Sequence, residues 1–188
     1  MGKSWRWFVL SIFALQIAAI AAVPRPAAAA SASQISNDAS AALTKLYDSN
    51  PTAAALAQTA KAVLVFPAIT KGGFLFGAQY GQGVLFQRGG IGGYYQSTAV
   101  SYGLQAGIQT FGYAMFLLTD QAMQSVNAAN GWEVGVGPSI VIVDAGTAKS
   151  MTTSTLRSDI YAFIFNQQGL MAGMGLQGSK ISRYTPDE

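Results

Sequence analysis

From Ala62 onward the chain is a succession of short apolar runs, rich in Val, Ile, Phe and Tyr, that glycine interrupts every few residues. That texture predicts strands. They fall near 62–69, 73–87, 94–105, 106–119, 132–145, 159–166 and 169–182. Glycine recurs inside them, at Gly77, Gly81, Gly83, Gly103, Gly107, Gly112, Gly135, Gly137, Gly173 and Gly175. An interior glycine weakens a strand and marks a bend, a bulge or the close approach of another backbone. Runs such as Ile140 to Val143 and Ala114 to Leu118 are apolar at every position, which predicts strands buried on both faces. A strongly curved or barrel-like antiparallel sheet uses all of these features.

The part before the strands reads as helix. Ile35, Ala39, Ala42, Leu43, Leu46 and Tyr47 recur at helical spacing and leave Asp38, Ser40 and Lys45 on the other face. Asn50 has the chemistry of an N-cap, with Pro51 at the first helical position of a second helix that runs to about Ala60. A further helix of about eight residues interrupts the strands, with Asp120 capping its start and Asn130-Gly131 closing it. Thr147 to Thr155 lacks periodicity and reads as a loop. The expected fold is α+β: N-terminal helices packed on an antiparallel, strongly curved or barrel-like sheet.

Residues 1–30 have a separate character. Lys3 and Arg6 precede an apolar stretch from Trp7 to Val23, and Ala28-x-Ala30 follows a Pro-flanked basic residue. This is the layout of a secretory signal peptide cut after about Ala30. At 17 residues the apolar stretch also matches the lower limit of a membrane anchor, ~17–25 residues. Both place the body, 31–188, beyond the membrane as one domain, periplasmic or secreted. The net charge of +3 belongs to the leader, because Lys3, Arg6 and Arg25 lie within it while all 8 acidic residues lie beyond. A neutral body has no bulk attraction for nucleic acid, so any affinity for anions must be local.

Chemistry is narrowly bounded. With no histidine and no cysteine there is no disulfide, thiolate, imidazole base or Cys/His metal site. Residues 173–178 read GMGLQG, a literal G-x-G-x-x-G, but no helix-and-strand unit follows to form a dinucleotide site. Ser179 and Lys180 are adjacent, and neighbours on a strand point to opposite faces, so they make no Ser–Lys pair. Apart from Asp187 and Glu188 on the tail, no carboxylates lie close together in sequence. The expected protein is not an enzyme and carries no cofactor and no metal.

Four blocks carry a resemblance: AKAVLVFPAITKGGFLFGAQYGQG from 60 to 83, GYYQSTAVSYGLQAGIQ from 93 to 109, GWEVGVGPSIVIVDAG from 131 to 146 and GLMAGMGLQGSKISR from 169 to 183. In order and spacing they resemble the SYLF-domain family in its bacterial, exported, stand-alone form. The resemblance implies lipid binding. Eukaryotic relatives bind phosphoinositides, and some bundle actin, usually with an added SH3 or FYVE domain. No such addition is seen here, and an exported chain should not meet actin. Lipid binding is therefore the implied function, with phospholipid or a membrane surface as partner. The motif positions able to meet an anionic headgroup are Lys71, in the turn expected between two apolar strands, and Lys180 with Arg183. The rival reading is a structural or surface-adhering envelope protein, such as a small outer-membrane-associated β-protein. Which lipid is bound, and the oligomeric state, are left open.

Overall fold

The computed structural model describes residues 30–102, 106–143, 156–169 and 178–187. Leader residues 1–29, the 147–155 loop and Gly103, Gly173 and Gly175 lie outside them. Two helices come first, α1 (Ala32–Ser49) and α2 (Pro51–Thr59). Ser31 caps α1, its hydroxyl accepting from the Gln34 amide, and the Asn50 side chain caps α2 by accepting from the Ala53 amide at 3.1 Å. Four long strands follow: β1 (Ala62–Gly73), β2 (Phe76–Gln87), β3 (Gly90–Tyr102) and β4 (Gly107–Leu117). Then come α3 (Asp120–Val126), β5 (Trp132–Glu133), β6 (Ile140–Val143), β7 (Ile160–Gly169) and β8 (Lys180–Tyr184).

The strands form one sheet in the order β5-β8-β3-β2-β1-β4-β7-β6, antiparallel throughout except for the parallel pair β6 and β7. Its two edges come from neighbouring segments of sequence. A flat sheet of eight strands would hold them roughly 34 Å apart, at about 4.8 Å per strand. The link from Glu133 to Ile140 reaches at most about 25 Å. The sheet must therefore curl, and it forms a half-barrel with the 134–139 segment strapped across its open side.

Each face has its own core. On the convex face α1 and α2 lay Ile35, Ala39, Leu46, Ala53 and Leu56 against Val63, Val65, Val84, Phe116 and Phe163. Burying Ile35, Leu46 and Leu56 contributes roughly 5–9 kcal/mol as an upper bound. The concave face gathers Leu64, Phe66, Leu85, Tyr95, Tyr113 and Met115 under α3 and the strap residue Val134. The expected curved α+β architecture is what forms.

The sheet bends at Pro67. A proline cannot donate to the ladder, so within a central strand it requires a bulge. The register of β1 slips there, between Val65 and Ala68 against β2 and between Phe66 and Ile69 against β4. The strands on either side meet the bulge with glycine. A Cβ on Gly83 would overlap the Val65 carbonyl and the Phe66 ring, and one on Gly112 would overlap the Phe165 ring and the Pro67 carbonyl.

Several elements depart from the sequence expectation. Thr119, not Asp120, caps α3, its hydroxyl accepting from the Ala122 amide at 3.2 Å. Asp120 is the first helical residue and pairs with Lys61 at 2.7 Å. The helix ends at Asn127, whose side-chain amide donates to the Met123 carbonyl, rather than at Asn130-Gly131. The strand expected over 132–145 is split, because Gly135 and Gly137 take positive φ and Pro138 lacks an amide. Its second piece, β6, is an edge strand. Of Ile140 to Val143 only Val143 is buried, whereas Ala114 to Leu117 are buried on both faces as expected.

Candidate functional site

The bulge divides the convex face into two halves. Before it, β1, β2 and β4 lie under the helices. Beyond it, β2 alternates strictly: Gly77, Gln79 and Gly81 are buried in the concave face, while Phe76, Ala78 and Tyr80 face solvent. Among the described residues no helix covers this end. Phe74 and Leu75 form the apex of the β1–β2 hairpin. Beside them on the convex face stand Phe76, 72% exposed, Tyr102, 83%, and Val100, 89%. Phe76 and Tyr102 are paired across β2 and β3 with ring centroids 5.1 Å apart. Ile108, opposite Gly72 on β4, is exposed as well. Single exposed apolar side chains are ordinary, but a contiguous group of this size marks an interaction surface.

The cations expected to meet lipid fall as follows. Lys71 lies within β1, not in a turn, because Thr70 to Gly73 continue the ladder to both neighbours. Its side chain is on the concave face, half-buried between Gln79 and Gln109, and the Gln79 amide donates to the Ser179 hydroxyl at 3.3 Å. Lys180 starts β8 on the convex face, in one cross-strand row with Thr98, Tyr80 and Thr70. Lys71 and Lys180 thus stand at almost the same height on the sheet, on opposite faces and three strands apart. Glu133 is the cross-strand neighbour of Lys180 on β5.

Arg183 is three residues along β8 from Lys180, roughly 10 Å further from the hairpin apex. It shares the concave face with Lys71, but its guanidinium donates to the Asn127 side-chain oxygen at 2.8 Å and lies 5.5 Å from the centre of the Tyr95 ring. The Tyr95 hydroxyl donates to the same oxygen. Arg183 thereby fastens the end of α3 to β3 and β8. Its position in a distinctive block gave no sign of this, since Asn127 and Tyr95 reach it only through the fold.

Sequence reasoning named Lys71 but missed the assembled apolar end. One signal was legible: between Asp48 and Asp120 the chain has no acidic residue, while it carries Lys61, Lys71 and Arg88. Of these cations only Lys71 lies toward the bare end, since Lys61, paired with Asp120, and Arg88 flank the opposite ends of β1 and β2. A second recess lies between α1, α2 and the start of the sheet, lined by Leu43, Tyr47, Ala57, Val63, Phe86 and Arg88. At about 190 Å³ it is smaller than the ~300–1,000 Å³ typical of small-molecule sites.

One carboxylate, Asp159, has a clear structural role. Asp159 accepts from the Thr119 hydroxyl at 2.7 Å and from the Ser139 amide and hydroxyl at 2.8 and 2.7 Å. The Ser139 hydroxyl bond, then that of Thr119, holds its carboxyl below the ordinary range. No cluster of carboxylates able to hold a metal ion occurs among the described residues.

A half-barrel with helices on one half of its outer face defines an α+β domain with a curled sheet. Residues 98–187, from late β3 to the end of the described chain, match the model of the Ysc84 family, described as Las17-binding protein actin regulator. The match covers just under half of the chain and supports membership of a family whose domain, the SYLF domain, is a non-enzymatic binding domain. No curated protein matches the chain.

Proposed function

We propose that this domain is a non-catalytic module that binds anionic phospholipid surfaces, and that it acts at the cell envelope after export. The observation that carries the reading is the bare end of the sheet. Exposed apolar side chains project beyond Lys71 and Lys180, in a stretch of chain without carboxylates. A neutral domain needs a local cationic surface to find an anionic membrane, and this end supplies one. The match to a family of non-enzymatic binding domains supports a role in binding rather than in chemistry. Against one form of the rival reading, a structural envelope protein built as an outer-membrane β-barrel, α1 and α2 occupy half of the face that such a barrel would turn to lipid.

Each cation near an anionic surface is worth about 1 kcal/mol, close to fivefold in affinity. Flotation with phosphatidylglycerol-containing and pure phosphatidylcholine vesicles tests the assignment. Lys71→Gln and Lys180→Gln are each expected to weaken capture by anionic vesicles about fivefold, with a smaller effect for Lys180 because Glu133 offsets it. Arg183→Gln is expected to lower the melting temperature and leave capture in place. Failure of the parent protein to float with anionic vesicles defeats the reading.

A further inference from the structure

We infer that the bare end is a wedge that enters the bilayer, with the β1–β2 hairpin apex among the acyl chains and the Lys71–Lys180 level at the headgroups. This rests on the lipid-binding reading and adds where, and how deep, the contact is. The apex residues Phe74 and Leu75 lie three to four positions beyond Lys71, roughly 10–13 Å along the strand. That is close to the ~5–10 Å by which interfacial elements bury their apolar face. Side-chain chemistry follows the same axis. Phe74, Leu75 and Phe76 come at the extreme, and Tyr102 is stacked beside Phe76. Tyr80 lies at the height of Lys180 in the Thr70–Tyr80–Thr98–Lys180 row. Apolar tip, tyrosine and then lysine is the order in which a membrane interface accepts side chains.

The hairpin can enter lipid without stranding its backbone. Gly72 and Gly73 remain paired to Ala78 and Gly77 on one side and to Ile108 and Gly107 on the other, and the Phe74 amide donates to the Phe76 carbonyl at 3.2 Å. The amides and carbonyls nearest the tip are thus mostly satisfied within the sheet, as a low-dielectric surrounding requires. A second copy of the chain is a poorer occupant. End-to-end packing of two such surfaces would bring the lysines of both copies together, a repulsion that Glu133 beside Lys180 offsets only in part.

The wedge makes capture depend on apolar contact, so it resists salt better than attachment by lysines alone. The chain contains no cysteine, so Leu75→Cys in the full chain provides a single position for an environment-sensitive fluorophore. With equimolar phosphatidylglycerol and phosphatidylcholine vesicles the label is expected to shift to the blue and to be quenched by acyl-chain bromines. A label at exposed Ala41→Cys on α1 is expected to do neither. Phe74→Ser combined with Phe76→Ser is expected to reduce partitioning on the order of a hundredfold at an unchanged melting temperature. Flotation with a Leu75→Cys label that remains water-exposed overturns the wedge and leaves surface binding standing. Absence of flotation overturns both. A blue shift that grows with protein concentration without vesicles overturns the wedge in favour of self-association.

Discussion

The two halves of the convex face have similar apolar content and different fates. Below the Pro67 bulge, Val63, Val65, Val84 and Phe116 are sealed by α1 and α2. Above it, Phe76, Val100, Tyr102 and Ile108 are left to water. One sheet carries both, and the same residue types serve both. The lower half holds the fold together. The upper half takes no cover from the described residues, so its apolar side chains contribute little to the domain's own stability. This is the surface that the proposed membrane contact uses.

The sharpest way to break this comparison is to make one change in each half. Phe116 is fully buried, with edge contact to Phe163 at a ring separation of 5.3 Å, whereas Phe76 stands in solvent. Phe116→Ala is expected to cost about 3–5 kcal/mol, enough to unfold much of a marginal domain. Phe76→Ala should fall within about 0.5 kcal/mol of the parent. Urea titration of both variants checks the contrast. Equal losses would mean that the upper half also carries stability.

The boundary between the halves is the next target. Gly83→Ala places a methyl against the Val65 carbonyl and the Phe66 ring, neither of which has room to retreat inside the bulge. Overpacking of this kind costs typically about 1–3 kcal/mol, and backbone contact favours the upper end. Gly89→Ala, at the open β2–β3 turn, meets no neighbour but takes a φ of 111°, so its penalty is backbone strain alone. Melting temperatures should fall further for Gly83→Ala.

Much of this was readable in the sequence. Helical spacing gave α1, the Asn50-Pro51 pair gave the start of α2, and glycine inside apolar runs gave a curled sheet. What was not readable depends on partners distant in the chain. Lys71 looked like a turn residue because polar and glycine residues surround it, and only the pairing with Gln79 and Gln109 shows that β1 continues through it. The run Ile140 to Val143 read as doubly buried, but apolarity at every position cannot tell a central strand from an edge. Lys180 and Arg183 share a motif, yet a spacing of three on a strand sends them to opposite faces. The apolar end was hidden for a simpler reason: its members come from three strands and a turn that only the register aligns.

The smallest effect concerns what closes the curl. Asp159 joins the start of β7 to Thr119 at the head of α3 and to Ser139 at the end of the strap, so one carboxylate fastens α3 and the strap to the β4-β7-β6 side of the half-barrel. These hydrogen bonds favour its ionised form and lower its pKa relative to the unfolded chain. The stabilisation is therefore fully present above the ordinary carboxylate range of about 3.9, and it is lost as pH falls through the lower folded value. The group faces solvent, so Asp159→Asn is expected to cost only about 1 kcal/mol at neutral pH. The measurement is thermal unfolding of parent and variant from pH 7 down to acid. The parent's advantage should shrink as the carboxylate protonates and stay flat above that range. An advantage independent of pH would show that shape and neutral hydrogen bonds, not the charge, hold the strap in place.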